Sequence, residues 1–316
     1  MKLLITRPMT AAVTARARDE FDVEIRDSNA PLSINEMARA LRDYDVVVPT
    51  LGDVFSADVF EMVTVPRCKL LANFGVGFNH IDVAAAQAAG VRVTNTPGAV
   101  TDATADIAMT LLLATARRAG EGERLVRSGN WQGWHPTQML GQHVTGKRVG
   151  IIGMGRIGQA IARRCHFGFG MQVSYQSRTP KDLDFPAEFV PDLATLAAVV
   201  DFLVVAVPGG VDTFHLIDAS VLSAMRPSAI LVNIARGEVV DEAALIHALK
   251  TGQIAGAGLD VYEFEPAVPQ ALREMENVTL LPHLGTATEE VRTDMGHMAL
   301  DNVAAFVAGR PLPNLV

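Results

Sequence analysis

Three charged side chains stand where apolar runs end. Val232-Asn-Ile-Ala-Arg-Gly237 carries a strand pattern into Arg236, and Gly258-Leu-Asp-Val-Tyr-Glu-Phe-Glu-Pro266 feeds a loop with Glu263 and Glu265. Leu281-Pro-His-Leu-Gly-Thr286 ends a third run in Pro282-His283. Singly, each has a bland reading: a solvated arginine, loop acids, a packed histidine. Together they form a reactive set. A guanidinium grips a carboxylate bidentately. An imidazolium protonates a developing alkoxide, and a carboxylate beside it holds its charge and orientation.

Such a set needs an electron source, and a fourth run supplies a place for one. Val149-Gly-Ile-Ile-Gly-Met-Gly-Arg-Ile-Gly158 reads as a buried strand, a glycine turn and a helix beginning near Gln159. Gly153 permits the tight turn, Gly155 lets the backbone approach a pyrophosphate, and Gly158 lets helix and strand pack closely. The N–H groups and dipole at the helix start favour phosphate charge. Arginine, carboxylate and histidine at strand ends beside a dinucleotide turn can perform hydride transfer to a carbonyl. The position of the turn, near residue 150, requires a domain-sized segment ahead of it.

The residues after the next strand select the nucleotide. An NAD site places an acid about 20 residues beyond the glycines to bind the ribose hydroxyls. Here the strand Gln172-Val-Ser-Tyr175 is followed by Gln176-Ser-Arg-Thr179, so Ser177 fills the acid position with Arg178 and Thr179 after it. A hydroxyl and a guanidinium bind a 2′-phosphate that an acid would repel. Asp182 and Asp184 lie beyond Pro180 and are read as out of reach. NADPH is the expected cofactor, with NADH possible, and the expected working direction is reduction.

The elements that must position these groups alternate along the chain. Strands are expected at 3–6, 23–26, 46–49, 70–73 and 91–95, with helices such as 34–41 and 83–89 between them. A long helix at 103–118 comes next, capped by Thr101 or Asp102. A second series places strands at 148–152, 172–175, 202–207, 230–234, 256–260 and 278–281, and a final helix covers 289–308. Such β-α repetition builds parallel sheets with helices on both faces. The last helix has no strand left to feed, so it is expected to return to the first domain. Hinges near Pro97-Gly98 and Gly285-Thr286 would then flank a cleft, a common place for an active site.

Bulk properties agree. At 316 residues, with 49% hydrophobic and 20% charged residues, the chain suits two buried α/β cores. A net charge of −8 argues against a nucleic-acid partner. The two cysteines, Cys68 and Cys165, have no paired spacing and read as inert packed thiols in a reducing cytoplasm. No targeting signal or apolar run of membrane-spanning length is visible, and no metal site is expected.

At these motifs the chain resembles the D-isomer-specific 2-hydroxyacid dehydrogenases, and among them the NADPH-dependent glyoxylate/hydroxypyruvate reductases. The resemblance covers nearly the whole chain, through Asn73-Phe-Gly-Val-Gly77, Asn95-Thr-Pro-Gly98, the turn at 153–158, Asn233-Ile-Ala-Arg-Gly237, Gly258-Leu-Asp-Val261, Glu265-Pro266 and Pro282-His-Leu-Gly285. It implies a Rossmann cofactor domain (99–286) inserted into a flavodoxin-like, doubly wound substrate domain (1–98 and 287–316). It implies that Arg236 binds the substrate carboxylate, that His283 is the acid/base, and that Glu265, the acid next to the proline, is its partner.

Similarity further assigns Val76 and Gly77 N–H groups and Leu51 to the substrate. Thr104, Val207, Pro208, Thr213, Ile234, Ala235 and Asp260 are assigned to the cofactor, with Arg236, His283 and Gly285 beside them. Met154, Arg156 and Ile157 belong to the glycine turn. The Trp131-x-x-Trp134 segment lies where similar proteins build a dimer arm, so a homodimer is implied, with Trp134 either reaching a neighbour's pocket or serving only as an interface anchor. One departure stands out: Asn79-His80 follows Gly77-Phe78 where many relatives carry Asp-Asn, and His80 is read as a capping or surface residue. Two other readings share the motifs, namely another substrate such as formate or phosphite, and a nucleotide-sensing corepressor-like protein.

Overall fold

The computed structural model describes residues 1–316. They divide into two compact units, Met1–Val100 with Thr286–Val316, and Thr101–Gly285. In the first, strands β1 (Lys2–Ile5), β2 (Asp22–Ile25), β3 (Val46–Val48), β4 (Leu70–Ala72) and β5 (Arg92–Thr94) form one sheet in the order β2-β1-β3-β4-β5. All pair in parallel. Helices α1 (Ala11–Glu20), α2 (Ile34–Asp43), α3 (Ala57–Glu61) and α4 (Val83–Ala88) make the crossovers. The central strands β3 and β4 are apolar along their length because both faces are covered, and every residue of each is buried, whereas the edge strand β2 alternates polar and apolar residues. α2 starts with a full capping box between Ser33 and Glu36, the reciprocal pair that satisfies two otherwise orphaned donors.

The C-terminal helix, Glu289–Val307, belongs to this first unit and packs on α1 and β4. Its approach to α1 is close: a Cβ on Gly296 would lie 2.4 Å from Val13 Cγ2. Polar pairs flank that contact, Thr293 Oγ1 donating to Thr10 Oγ1 at 2.9 Å and Arg16 to Asp301 at 2.7 Å.

The second unit begins with α5 (Thr101–Ala116) and α6 (Ala119–Arg127). Then come β6 (Arg148–Ile152), α7 (Arg156–Arg163), β7 (Gln172–Gln176), β8 (Ala187–Phe189), α8 (Leu193–Val199), β9 (Phe202–Val205) and α9 (Ala219–Ala224). It closes with β10 (Ile230–Asn233), α10 (Glu242–Lys250), β11 (Gly256–Leu259), α11 (Gln270–Arg273) and β12 (Val278–Leu280). The seven strands are parallel in the order β12-β11-β10-β9-β6-β7-β8. Numbered along this unit, that is the doubly wound order whose reversal lies between β6 and β9, the place where such sheets bind ligands.

Several local expectations are corrected. The helix of the glycine turn starts at Arg156, not near Gln159, because Gln159 N already closes a helical bond on Gly155 O (2.9 Å). α5 starts at Thr101, so neither Thr101 nor Asp102 is its cap, and it stops at Ala116. Arg118 then turns left-handed (φ 53°), its guanidinium forked onto Glu121. β8 has no counterpart among the expected strands: three residues on the sheet edge carry too little alternation to register. Strand ends fall one or two residues short of those expected at Thr6, Asn73, Asn95, Val207, Ile234, Asp260 and Leu281, where the chain leaves the ladder for the loops. No helix is long and apolar enough to cross a membrane. Both cysteines are buried and unpaired, and burial pushes each thiol up to about 12.

The tight helix contact gives a test of the first unit. Gly296→Val gains little helix propensity but places methyls inside Val13, so it should destabilise by about 1–3 kcal/mol. A lowered urea midpoint is expected; an unchanged midpoint would mean that the helix does not pack as described.

Candidate active site

The glycine turn has the shape of a phosphate cradle. Gly153 follows β6 with φ 96°, and a Cβ there would lie 2.7 Å from Ala206 O. A Cβ on Gly158 would lie 2.0 Å from Gly153 O, so helix and turn touch backbone to backbone. Gly155 differs: it caps α7, and a Cβ on it would meet nothing within 4 Å. The first and third glycines are thus required by the protein's own packing, while the second borders open space at a helix N-terminus. That is the arrangement a pyrophosphate needs. Arg156 is exposed and Ile157 half-buried, whereas the Met154 side chain is packed in the core, so only its backbone faces the turn.

Beyond β7 the chain forms a small polar turn. Ser177 Oγ donates to Thr179 O (2.6 Å), and Lys181 Nζ reaches Thr179 Oγ1 (3.3 Å). Tyr175 Oη accepts the Lys181 N–H at 2.8 Å, which fixes the turn to the strand. Arg178 is exposed, and residues 177–181 hold no carboxylate. Asp184 pairs with Arg163 on α7 and is thereby turned away. Lys181 is a cation the sequence reading passed over; its spacing from Arg178 was the available signal.

The loop after β9 carries Val207, Pro208 and Thr213. Thr213 Oγ1 donates to Pro208 O (2.7 Å), closing the loop on itself. It abuts the β10 turn: Gly210 N donates to Glu238 Oε1 at 3.1 Å, and a Cβ on Gly209 would lie 2.7 Å from Arg236 Cγ. Ile234 and Ala235 are buried at the end of β10. The buried Asn233 shapes the turn that bears Arg236, its amide donating to Arg236 O (2.9 Å) and accepting from Ala235 N (3.0 Å). Arg236 is half-buried, and burial lowers its pKa from 12.5 against the pull of Glu265 and Glu238.

β11 and β12 present the acid and the base. Glu265 Oε2 lies 2.8 Å from His283 Nδ1, and its other oxygen accepts the Tyr262 N–H at 3.0 Å. With Nδ1 committed to the carboxylate, Nε2 is the ring nitrogen left to exchange a proton with a substrate. Asp260 sets the histidine's backbone. It is buried, and its carboxylate accepts from Leu284 N (2.6 Å) and Gly285 N (2.8 Å). Its carbonyl accepts the His283 N–H at 2.9 Å, and His283 adopts φ 54°. Thr104, also buried, donates to Gly285 O at 3.1 Å. Burial pushes Asp260 above its ordinary value. Burial pushes Glu265 the same way, but the His283 bond and charge, the Tyr262 N–H and Arg236 together leave it below its ordinary 4.5.

In the first unit, the residues assigned to the substrate lie in loops at the carboxyl ends of β3 and β4. Leu51 is 38% exposed. In the loop at 73–77 every carbonyl from Gly75 to Gly77 is taken: Asn73 Nδ2 donates to Gly75 O and Gly77 O, Thr96 N to Gly75 O, and Asn95 Nδ2 to Val76 O. The Val76 and Gly77 N–H groups make no hydrogen bond to the protein. The reading of His80 as a cap or surface residue is wrong. It is buried, and its Nε2 lies 3.0 Å from Asn73 Oδ1, which orients the amide that braces the loop. Trp134 is 79% exposed on a segment without helix or strand.

Residues 109–285 match the family model described as D-isomer specific 2-hydroxyacid dehydrogenase, NAD binding domain. The chain belongs to that family. The glyoxylate reductase of Thermococcus onnurineus (strain NA1) is 45% identical to it, over the whole chain and 95% of that protein. A crystallised member of the family from Polaromonas sp. superposes with a TM-score of 0.93 at 37% identity, covering 100% of this chain and 99% of that one. The NADPH-dependent glyoxylate/hydroxypyruvate reductase of Sinorhizobium meliloti, solved with NADP and malonate, does so at 0.88 and 36%, covering 100% and 96%. The protein is therefore an oxidoreductase, a 2-hydroxyacid dehydrogenase with a nicotinamide cofactor.

The lowered Glu265 pKa fixes a pH dependence. A carboxyl with a depressed folded-state pKa stabilises the protein above its unfolded value and loses that contribution as pH falls through the folded one. The urea-midpoint difference between wild type and Glu265→Gln should therefore hold near neutrality and shrink below pH 4.5. A difference independent of pH would show that the carboxylate makes no ionised contact in the folded state.

Proposed function

We propose that this dehydrogenase reduces a small 2-keto acid with NADPH, glyoxylate to glycolate or hydroxypyruvate to D-glycerate, the D-2-hydroxy acid wherever the product is chiral. The observation that carries the reading is the 2.8 Å contact between His283 Nδ1 and Glu265, in the unit that also presents Arg236 and the open glycine turn. Arg236 holds the substrate carboxylate and polarises its keto oxygen. His283 Nε2 delivers the proton to that oxygen as it gains charge, and Glu265, bonded to Nδ1, fixes the orientation of the ring. A bound nicotinamide supplies the hydride.

Cofactor binding is assigned to Gly153, Met154 (backbone), Gly155, Arg156, Ile157 and Gly158 at the pyrophosphate. Ser177, Arg178 and Thr179 take the 2′-phosphate, with Lys181 added. The absence of any acid from 177–181 supports NADPH over NADH. Thr104, Val207, Pro208, Thr213, Ile234, Ala235, Asp260 and Gly285 complete the assignment. Within the first unit, Val76 and Gly77 are assigned to carboxylate recognition, because their N–H groups remain as donors in a braced loop, and Leu51 to the substrate's apolar side. We further assign residues 1–98 and 287–316 to the substrate domain and 99–286 to the cofactor domain. A cytoplasmic homodimer is supported by the two unpaired cysteines and by the exposed Trp131, Trp134 and Leu140.

A steady-state screen of glyoxylate, hydroxypyruvate, pyruvate, formate and phosphite with both cofactors tests this. Turnover of the first two, with KM for NADPH at least about tenfold below that for NADH, is expected. No keto-acid reduction at saturating NADPH would sink the enzyme reading, and an equal or lower KM for NADH would sink the cofactor assignment. Among variants, Arg236→Ala should lose about a thousandfold in kcat/KM, with KM carrying much of it. His283→Ala should lose about 10²–10⁴-fold in kcat. A near-normal rate in His283→Ala would remove the acid/base assignment.

A further inference from the structure

The second unit holds another histidine–glutamate pair that has no part in the chemistry above. His215 Nε2 lies 2.9 Å from Glu263 Oε1, with side-chain exposures of 31% and 13%. His215 lies in the loop between β9 and α9, and its N–H donates to Glu238 O at 2.8 Å. It stands at φ 48°, a left-handed conformation that a non-glycine residue keeps only where its neighbours enforce it. Phe214 stacks on its ring with centroids 4.0 Å apart.

Glu263 is equally constrained. Its second oxygen accepts the Glu242 N–H at the start of α10 (3.4 Å), and its own N–H reaches Glu242 Oε2 (3.5 Å). On the other side, a Cβ on Gly237 would lie 1.8 Å from the Tyr262 carbonyl carbon and 2.3 Å from Glu263 N. The segment at 262–263 is thus clamped between the turn that bears Arg236, the start of α10 and the loop after β9. Two residues later stands Glu265, whose carboxylate bonds the Tyr262 N–H and His283.

We propose that the His215–Glu263 pair is a positioning latch that holds the loop of Glu265 in the register required by His283. The proposal rests on the roles assigned to Glu265 and His283. Neither His215 nor Glu263 need touch a reacting atom: the latch acts by keeping the Glu265 carboxylate on Nδ1. It also ties that loop to the segment bearing Val207, Pro208 and Thr213, so the two groups of residues keep a fixed relation.

A double-mutant cycle tests this. Glu263→Ala should lower kcat about tenfold with the KM for NADPH little changed, and should cost less than about twofold more once Glu265 is already alanine. His215→Ala, which trims the more exposed partner, should give the same pattern and serves if Glu263→Ala does not fold. A merely structural role would cost the same in both backgrounds; that result, or no loss with Glu265 intact, overturns the proposal. Wild-type turnover is measured first and tests the reading of function by itself. Independently of turnover, a crystal structure of either variant should show Glu265 withdrawn from His283 Nδ1, and an unmoved carboxylate refutes the latch.

Discussion

The buried carboxylate of Asp260 governs how the strand ends of the second unit are used. It takes the Leu284 and Gly285 N–H groups at 2.6 and 2.8 Å, while its own carbonyl takes that of His283. Three donors captured at one residue bend the chain after β12 into the left-handed turn at His283. The ring nitrogen Nδ1 then meets Glu265. Charge-assisted bonds of this kind are about twice as strong as neutral ones, and burial strengthens them further. Neutralising or removing that carboxylate would release backbone donors next to the proposed acid/base.

Around that point the second unit builds by backbone contact more than by side-chain filling. Gly153 abuts Ala206, Gly158 abuts Gly153, and Gly237 abuts Tyr262 and Glu263, each closer than any Cβ allows. These contacts bring the turn after β6, the loop after β9 and the ends of β10 and β11 into one layer along the carboxyl edge of the sheet. Arg236 and Glu265 inherit their positions from it. In the first unit the same economy appears in the loop at 73–77, where two asparagines and a backbone N–H take every carbonyl from Gly75 to Gly77 and leave donors behind.

Much of this is legible in the sequence, and for physical reasons. Fully buried parallel strands write continuous apolar runs, so β3, β4, β9 and β10 can be placed to within a residue or two. Glycines forced by backbone contact also announce themselves, as Gly153 and Gly158 do. The pairing of His283 with Glu265 comes from the strand ends together with the family resemblance, since Glu263 and Glu265 offer the same chemistry. The hidden features depend on tertiary placement. His80 looks like any polar loop residue until its ring is found on Asn73, and Asn233 looks like a strand residue until its amide bridges Ala235 and Arg236. His215 and Glu263 lie 48 positions apart, and no local pattern joins them. β8 is too short and too near the sheet edge to leave a periodic trace.

The reading of function joins a geometry, an imidazole braced by a carboxylate beside a guanidinium, to a family defined by one product enantiomer. The most direct measurement is the chirality of the glycerate formed from hydroxypyruvate and NADPH, resolved on a chiral column. D-glycerate as the sole product is the expected result. L-glycerate, a racemate, or oxidation of NADPH without glycerate would contradict the assignment of Arg236, Glu265 and His283 to stereospecific reduction of a 2-keto acid.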